Sequence, residues 1–398
     1  MGARMQVDGS IQGDLFQPAK LIVRDALLGV DGRTPLMVLG CGRNKLTTRA
    51  SAQSLYTSSR FRQSVDIAKQ LNAPFVILSA KHGIVDSNAI LEPYDLDLSI
   101  LSEDDRLVWG EKALSDLAAL ASGRSITVLA ESNYAQPLLQ ANKARLEPLT
   151  IVSPWVELSQ PDRDLWLREA HHMAVRIRDL DRLYAWIEAK REAALVFPFG
   201  DLSAMTVPKR GVYLFLDPEE PNFRKAAPRV VRVGTHAVSA GSQASLRARL
   251  RTHLGPQHEI GNHRASIFRL HVGRAMLEAR DGPNRLPSWG DGQNARRNVK
   301  GAEQDLEIAV SQYLRRLQLV LIEVDDEPSK YSVRAHTEMQ LIALLSDSMR
   351  PIDMPSPTWL GLQSPVAPIR QLGLWNVRGI GGKYDSSGVG SVTSMLEA

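Results

Sequence analysis

Apolar runs and helical periodicities alternate along the first part of the chain. Short apolar runs over 35–40, 74–79 and 125–130 predict three buried strands. Between them, apolar residues recur at helical spacing over 54–71 and 103–121, which predicts two amphipathic helices. Because strands that alternate with helices form parallel sheets covered on both faces, we predict an α/β domain with a mostly parallel sheet over 1–155.

A long helical segment follows this domain. Residues 161–194 are charged and helically periodic, with no glycine or proline after Pro161. The sequence Phe197-Pro198-Phe199-Gly200 interrupts this periodicity. We therefore predict a helical connector over 156–205, with the domain boundary between Glu192 and Met205.

The pattern changes again in the last part of the chain. Apolar runs at 211–216 and 230–234, separated by a polar stretch, predict a hairpin, and 245–254 predicts a helix. Within 334–346, Glu338 is predicted to begin an amphipathic helix whose apolar residues enter the core. The segment 379–390 is rich in glycine and serine and is predicted to be a loop.

Polar clusters follow the predicted strands of the first domain, at 41–45, 79–83, 92–95 and 131–134. Because strand ends at one edge of a parallel sheet converge, these loops are expected to build one pocket, suited to a phosphate and a base. The residues predicted to form it are Cys41, Lys45, Ser79, Lys81, His82, Tyr94 and Asp95. Structural interpretations stay open for several of them: Cys41 as a small buried residue, His82 as a turn cap, and Tyr94 and Asp95 as part of a rigid loop.

Length and composition indicate the number of domains and the cellular compartment. The 398 residues exceed the roughly 250–300 at which one core stops growing, so two domains are expected. Hydrophobic residues at 43% and charged residues at 23% exclude a wholly disordered chain. No apolar run is long enough for a membrane span and no signal peptide is visible, so we expect a cytoplasmic protein without a membrane partner. The single cysteine, Cys41, excludes an internal disulfide and a Cys-rich zinc site.

Positive charge is concentrated rather than spread. The net charge of the chain is +4, but residues 245–316 alone carry thirteen lysines and arginines against seven acidic residues. Such a segment attracts a phosphate backbone, although a solvated basic face without a ligand is the alternative. The residues predicted to contact DNA are Arg232, Arg247, Arg251 and Arg264.

The order of residues in the second half resembles the GIY-YIG endonucleases, in their restriction-type branch. Gly211-Val212-Tyr213 matches the first triplet, and Arg232-Val233-Gly234 stands where the second is expected. Arg249 and His253, four residues apart, match an Arg-x-x-x-His helix, and 261–264 with 266–269 resembles the loop and strand that follow it. The metal-binding glutamate and the late asparagine of the family are matched by Glu338 and Asn376. The resemblance covers about 208–384.

The resemblance implies an α+β nuclease domain over 206–398 that uses one Mg²⁺. Glu338 would hold this ion, and Tyr213 would orient or deprotonate the attacking water. Arg249 would contact the scissile phosphate, His253 would relay a proton, and Asn376 would fix the site by hydrogen bonds. The second tyrosine of the family is replaced here by an arginine, so its role would have to pass to other residues.

The first half resembles an uncharacterised, YaaA-related domain, some of whose relatives look like DNA glycosylases. The likeness covers about 35–149 and is carried by LSAKHGIVD at 78–86 and EPYDLDL at 92–98. It implies a domain that recognises or excises a modified base. In an excising domain, Asp95 would stabilise an oxocarbenium-like sugar and Tyr94 would stack on the extruded base.

Together these features predict a Mg²⁺-dependent DNA endonuclease coupled to a base-recognising or base-excising domain, acting in anti-phage defence against base-modified DNA. Two alternatives stay open: a restriction endonuclease whose N-terminal half only binds DNA, and a non-catalytic DNA-binding module, which Arg232 favours. RNA is a third substrate to test. One active site cuts one strand, so double-strand cleavage would need a homodimer or two successive nicks.

Overall fold

The computed structural model describes residues 17–256, 261–280, 286–329, 331–346, 352–379, 382 and 384–386, and for 17–22 it describes the backbone only. The chain divides into two compact units, Met1–Ala174 and Val175–Ala398, called here the N-terminal and C-terminal units. The division falls inside a helix that runs from Gln160 to Glu192, so the predicted connector 156–205 is shared between the two units. The predicted loop at 379–390 lies largely outside the described residues.

The N-terminal unit is built on a five-stranded sheet, in which the predicted mostly parallel arrangement is confirmed. Its strands are β1 (Leu36–Gly40), β3 (Phe75–Ser79), β4 (Gly83–Asp86), β6 (Ile126–Leu129) and β7 (Ile151–Val152), in the order β4-β3-β1-β6-β7. All neighbours are parallel except β4, which pairs antiparallel with β3 at one edge. A separate antiparallel pair joins β2 (Ala50–Ser51) to β5 (Ile90–Leu91).

Helices cover this sheet because its strands are apolar on both faces. The helices of this unit are α1 (Gln17–Leu28), α2 (Ala52–Leu55), α3 (Ser59–Gln70), α4 (Glu103–Ala121), α5 (Ser132–Lys143) and the first part of α6 (Gln160–Glu192), of which α2 contacts the β2–β5 pair. The predicted helix at 54–71 is two helices, because the Ser58 side chain accepts a hydrogen bond from the Phe61 N–H and starts α3 anew. In the core, Val38 and Val128 of the sheet pack with Leu117 of α4.

The C-terminal unit contains an antiparallel sheet in the order β10-β9-β11-β8. Its strands are β8 (Phe197–Pro198), β9 (Gly211–Pro221), β10 (Pro228–Gly234) and β11 (Gln318–Glu323). The hairpin β9–β10 agrees with the prediction, although β9 continues five residues further than its apolar run. Strand β11, which the sequence analysis did not identify, pairs with both β8 and β9.

The remaining described helices are α7 (Leu246–Leu254), α8 (Ile267–Arg280), α9 (Arg297–Ala302), α10 (Gln304–Arg316), α11 (Val333–Leu345) and α12 (Ala367–Leu372). The prediction of a strand at 266–269 is wrong, because these residues lead into α8. The Ser266 hydroxyl accepts the Arg269 N–H at the start of this helix, and Phe268 and Val272 face the core at helical spacing.

Candidate active site

Tyr213 lies on β9 directly opposite Gly234 on β10. A Cβ atom at residue 234 would lie 2.2 Å from the Tyr213 hydroxyl, so only glycine lets the phenol lie against the neighbouring strand. Gly211 meets a similar limit, because a Cβ there would lie 2.3 Å from the carbonyl oxygen of Ile322. Gly234 therefore lets β10 pack against the buried Tyr213, and Gly211 lets β9 pack closely against β11.

The Tyr213 hydroxyl contacts a buried histidine. Its oxygen lies 2.9 Å from Nε2 of His253, whose Nδ1 lies 2.7 Å from the Ser266 hydroxyl. Burial lowers the pKa of His253 well below its usual value, and nearby arginines lower it further, so the ring is neutral. With a proton on Nδ1, Nδ1 donates to Ser266 and Nε2 accepts a hydrogen bond from Tyr213; with a proton on Nε2 both directions reverse. His253 therefore fixes the Tyr213 hydroxyl in either tautomer, and its lowered pKa opposes full protonation of the ring.

Arg249 lies one turn before His253 on α7 and is half-buried. Its guanidinium forms no hydrogen bond or ion pair with any residue that the structure describes, whereas its backbone N–H donates to the Ser245 carbonyl. Its charge contributes to lowering the pKa of His253 and His236, and it partly offsets the rise that burial causes in the pKa of Glu338. The guanidinium therefore lies among these three groups with its donors available to a ligand.

Glu338 lies in the second turn of α11 and is half-buried. The helix starts at Val333, after the Ser332 side chain accepts the Ala335 N–H, so the prediction that Glu338 begins it is wrong. The helix cap is supplied by Ser332, which leaves the carboxylate free for another role. Burial raises the pKa of Glu338, while the charge of Arg232 and a hydrogen bond from the Thr235 N–H lower it.

The surroundings of Glu338 fit a single hydrated cation. No cluster of three histidine, cysteine or acidic residues occurs within the described ranges, so an all-protein metal cage is absent there. Glu338 forms no ion pair with any described residue. A half-buried carboxylate of this kind suits Mg²⁺, which keeps several waters and binds through one or two carboxylates and substrate oxygens.

Arg232 and Asn376 both attach the last segment of the unit to β10. Nη1 of Arg232 donates to the Trp375 carbonyl at 2.6 Å, and its guanidinium lies 4.7 Å from the centre of the Phe268 ring. The Asn376 side chain accepts the Val233 N–H at 3.1 Å and donates to the Val233 carbonyl at 2.8 Å. Arg232 is buried rather than presented as the predicted DNA contact, and Asn376 holds the strand that carries the second triplet.

Two other predicted DNA contacts are also engaged within the protein. Arg247 donates to the backbone carbonyls of Leu202 and Met205. The Arg264 side chain is 4% exposed and forms an ion pair with Glu303 at 2.6 Å. Both therefore differ from the prediction, whereas Arg251 is exposed as expected of a surface contact.

A buried network that the sequence analysis missed supports α7. Arg269, fully buried, bonds Glu307 at 2.6 Å and donates to the backbone carbonyls of His253 and Leu254 at 3.1 and 3.2 Å. Glu307 also accepts Nδ1 of His263 at 2.9 Å. The signal was available in the sequence, since Arg269 and Glu307 occupy buried helical positions among apolar neighbours and so need partners.

His236, two residues after the second triplet, is a further neighbour of this region. It is 6% exposed, and its Nε2 lies 3.5 Å from Nη1 of Arg334. Burial and then the charge of Arg334 lower the pKa of His236 to about 4. The ring is therefore neutral near pH 7 and sits beside Arg249.

The N-terminal unit contains a separate cavity of about 540 Å³. Three predicted pocket residues line it, namely Cys41, Lys45 and Asp95, together with the predicted loop 131–134. The other four predicted residues are not among its lining. Instead, Ser79, Lys81 and His82 all contact Tyr94.

Tyr94 is held by its neighbours rather than open to a base. Its hydroxyl lies 2.7 Å from that of Ser79 and 2.8 Å from that of Tyr56. The ammonium groups of Lys45 and Lys81 lie 4.5 and 5.5 Å from the centre of its ring. The predicted stacking of Tyr94 on an extruded base therefore conflicts with these contacts.

A tyrosine hydrogen-bonded to a histidine, an arginine whose side chain has no partner among the described residues, and a half-buried glutamate all lie in the C-terminal unit. The chain belongs to the GIY-YIG family, since the GIY-YIG domain matches residues 174–398, more than half of the sequence. This match confirms the resemblance predicted for the C-terminal half. The family consists of nucleases that generally use a divalent metal, and DNA is the substrate class that a nuclease domain of this kind implies.

The N-terminal half has a different similarity. Residues 36–169 match a family of unknown function, DUF6884. This match gives no support to the predicted relation to YaaA-related proteins or to DNA glycosylases. No match was found among curated proteins or among solved structures. Within the described residues, no helix combines the length and the apolar character of a membrane span.

Proposed function

We propose that this protein is a Mg²⁺-dependent DNA endonuclease whose N-terminal unit recognises a base in the DNA. The observation that carries the proposal is the 2.9 Å contact between the Tyr213 hydroxyl and Nε2 of a neutral, buried His253. This contact fixes the Tyr213 hydroxyl, whose oxygen would then accept a hydrogen bond from the attacking water and orient it. The unpaired Arg249 and the half-buried Glu338 supply the remaining components.

In the proposed reaction, the Tyr213 hydroxyl donates a hydrogen bond to Nε2 of His253 and accepts one from a water molecule, which it thereby orients. The water attacks phosphorus and gives up its proton to solvent. The bond from phosphorus to the departing sugar oxygen breaks, and that oxygen takes up a proton from solvent. Arg249 holds the phosphate through its free guanidinium donors. Glu338 would hold the divalent cation, which when bound neutralises charge on the phosphate.

The test is plasmid nicking by the full chain with and without Mg²⁺. Tyr213→Phe and Glu338→Gln are each expected to lower the rate by about 10²–10⁴, the range for loss of a catalytic group. The matched controls are Tyr313→Phe, which removes a buried hydroxyl bonded to Asp217, and Glu278→Gln, a half-buried helix carboxylate. A wild-type rate in Tyr213→Phe, or equal losses in it and Tyr313→Phe, would overturn the catalytic assignment.

Arg232 is the observation that favours the non-catalytic alternative, because it replaces a family tyrosine. Its guanidinium is committed to the Trp375 carbonyl, which supports a structural role that leaves the Tyr213–His253 contact intact. Absence of any Mg²⁺-dependent nicking on plain or base-modified DNA would favour the DNA-binding module. Matched RNA and DNA substrates in the same assay decide between the two nucleic acids.

For the N-terminal unit we propose recognition rather than excision, since Tyr94 is covered by two ammonium groups. Defence against phage DNA with modified bases is the role we propose for the combination of units. Release of free base from modified DNA, abolished by Asp95→Ala, would show excision instead. Sedimentation of the protein on a duplex with one cleavage site tests whether cutting uses a homodimer.

A further inference from the structure

A second pocket borders the candidate active site within the C-terminal unit. It has a volume of about 330 Å³, and its lining comes from Arg249 of α7, from residues at the start of α8 and from the loop 290–293. Ser266, which directly precedes α8, contacts the ring of His253. The pocket, called here the Arg249 pocket, therefore adjoins the residues proposed to act on the scissile phosphate.

The loop that forms one wall of the Arg249 pocket is fixed by hydrogen bonds. The Gly290 N–H donates to Nε2 of His263 at 3.0 Å, and Nε of Arg264 donates to the Asp291 carbonyl at 3.3 Å. Gly290 has a φ of +87°, and a Cβ there would lie 2.8 Å from Cδ1 of Leu270, so the loop also lies against α8. The protein itself therefore sets the shape of this wall.

The buried polar residues of the lining are paired inside the protein. Arg264 donates two hydrogen bonds to Glu303, at 2.6 and 2.8 Å. His263 has partners at both ring nitrogens, since Nδ1 contacts Glu307 at 2.9 Å and Nε2 accepts a backbone N–H. Among the described residues, no carboxylate lines the pocket. Arg249, whose guanidinium has no partner among those residues, is thus the lining cation with donors for a ligand.

Accessible side chains give the pocket an apolar surface. Ile267 lines it and is 41% exposed, and Ala265 in the lining is also exposed. Leu270, half-buried, lies one turn further along α8. Apolar side chains gain free energy when a ligand removes them from water. These three residues therefore favour the carbon atoms of a ligand over a second phosphate group.

A DNA strand held at Arg249 brings such atoms to this place. Successive nucleotides of one strand in duplex DNA are about 3.4 Å apart along the helix axis, so the nucleosides on either side of a phosphate lie within a side chain's length of it. The edge of each base presents donors and acceptors in the grooves, and thymine adds a methyl group. Gln293 lines the pocket and is exposed, and its amide both donates and accepts hydrogen bonds.

We propose that the Arg249 pocket binds one of the two nucleosides joined by the scissile phosphate. Ile267 and Leu270 contact the sugar and the carbon atoms of the base edge, and Gln293 bonds the polar atoms of that edge. The inference rests on the proposed nuclease function and adds to it a site that reads the DNA beside the cut. Ile267 and Gln293 are specificity-determining residues in this proposal, separate from the reacting groups.

The test is cleavage kinetics of the full chain on duplexes built around a mapped nick. Nicks made with Mg²⁺ are located by sequencing the new strand ends, and a labelled duplex is made around the most frequent one. Two further duplexes lack the base on the 5′ or the 3′ side of the nick and keep the sugar. For one of these two, we expect the parent to lose about tenfold in kcat/KM, the effect of one apolar or hydrogen-bonded contact.

Ile267→Ala should lose about the same tenfold on the intact duplex. On that base-lacking duplex it should lose less than about twofold more, because the contact is already absent. Ile308→Ala on α10 is the matched control, since Ile308 is 43% exposed and does not line the pocket. It should match the parent on all three duplexes, and thermal unfolding checks that each variant is folded.

Gln293→Leu tests the reading of the base edge. Across all mapped nicks, it should weaken the preference of the parent for one base at that position by about tenfold. Gln371→Leu, at an exposed position on α12, is the control and should keep this preference. A preference that is identical in Gln293→Leu and the parent would remove Gln293 from the site.

Three results would overturn the inference while the nuclease function stands: no loss by the parent on either base-lacking duplex, equal rates of Ile267→Ala and the parent on the intact duplex, or losses that add fully on both base-lacking duplexes. If the parent nicks no DNA, the nuclease proposal fails, and duplex affinity without divalent cations, measured by fluorescence anisotropy, tests the pocket. Affinity about tenfold lower in Ile267→Ala than in Ile308→Ala would then support a DNA contact at the pocket, and equal affinity would overturn it.

Discussion

The packing of Tyr213 against Gly234 controls where the phenol can lie. Gly234→Ala would place Cβ within 2.2–2.6 Å of three atoms of the tyrosine ring, so either the ring or the strand must move. Such overpacking costs about 1–3 kcal/mol. We expect Gly234→Ala to lower the free energy of unfolding by this amount and to abolish nicking.

A double-mutant cycle checks the cause of this loss. Since the clash is with the ring, Tyr213→Leu should remove most of the destabilisation that Gly234→Ala produces alone. Denaturant unfolding of the two single variants and the double variant measures the coupling. Additive losses would mean that the backbone at Gly234, rather than the ring, is the source.

Three buried histidines make the C-terminal unit sensitive to acid. Burial lowers the pKa of His236 and His271 to about 4 and lowers that of His253 well below its usual value. Each folded-state pKa lies below the unfolded value of about 6.5, so their stabilising contribution is complete above that pH. It is lost as the pH falls from about 6.5 towards 4, because the unfolded chain binds the protons first.

We therefore expect the free energy of unfolding, measured by urea denaturation, to decrease as the pH is lowered from 7.5 to 5. His271→Leu should make this decrease smaller by on the order of 1–2 kcal/mol, because neither ring nitrogen of His271 has a partner among the described residues. His336→Gln, at an exposed position on α11, is the control and should leave the pH dependence unchanged. A fall of the same size in His271→Leu and the parent would contradict this account.

At the scale of elements, α7 depends on a charge pair that lies outside it. Arg269 of α8 bonds Glu307 of α10 and also the last carbonyls of α7, where His253 sits. Arg269→Met leaves Glu307 as a buried, uncompensated charge, so we expect a loss of about 3–5 kcal/mol in unfolding free energy. Nicking should fall with it, since His253 loses its fixed position.

Replacing both partners separates the two effects. Arg269→Met with Glu307→Leu should recover most of the stability, because no buried charge is left unpaired. Nicking should recover less than stability does, because the carbonyls of His253 and Leu254 remain without their donor. The exposed Arg280→Met on α8 serves as the control, and full recovery of both properties would show that Arg269 does not position α7.

The elements predicted best from sequence are those whose periodicity is continuous. Helix α4 runs over the predicted 103–121, and β1, β3 and β6 occupy the predicted apolar runs, because local patterning determines them. Strand β11 was missed because its apolar run directly follows α10 without a break signal. The start of α8 was misassigned because a capping serine and an apolar pair also resemble a strand.

The candidate site was less accessible to sequence reasoning, because its contacts are long-range. The spacing of Arg249 and His253 indicated that both lie on one face of a helix. It did not indicate that Arg249 is half-buried while His253 is fully buried. Arg264 and Arg247 resembled surface cations, since their partners Glu303 and the carbonyls near Leu202 are distant in sequence. The roles of Tyr213, Glu338 and Asn376 remain predictions to be tested by activity.

For the whole molecule, only some of the concentrated positive charge is available to DNA. Several cations of the segment 245–316 are paired internally, whereas Arg296, Arg297 and Lys300 are exposed. Each phosphate contact contributes about 0.9 to the slope of log affinity against log salt on duplex DNA. Neutralising these three to glutamine should lower that slope by up to about 3, measured by fluorescence anisotropy at several salt concentrations.

The control neutralises three exposed lysines of the N-terminal unit, Lys69, Lys112 and Lys143. Lys69 and Lys143 lie in the last turns of α3 and α5, whose first turns line the cavity, so they stand at the opposite edge of the sheet. The salt slope of this variant should equal that of the parent. Equal reductions in both triple variants would indicate a diffuse charge effect rather than a defined contact surface.

The mutual exclusion of a phenol at 213 and a side chain at 234 has a consequence for heredity as well as for packing. In a descendant of this sequence with alanine at 234, we expect a residue smaller than tyrosine at 213, and the two changes should be inherited together. A lineage with alanine at 234 and tyrosine at 213 would have had to widen the gap between two strands.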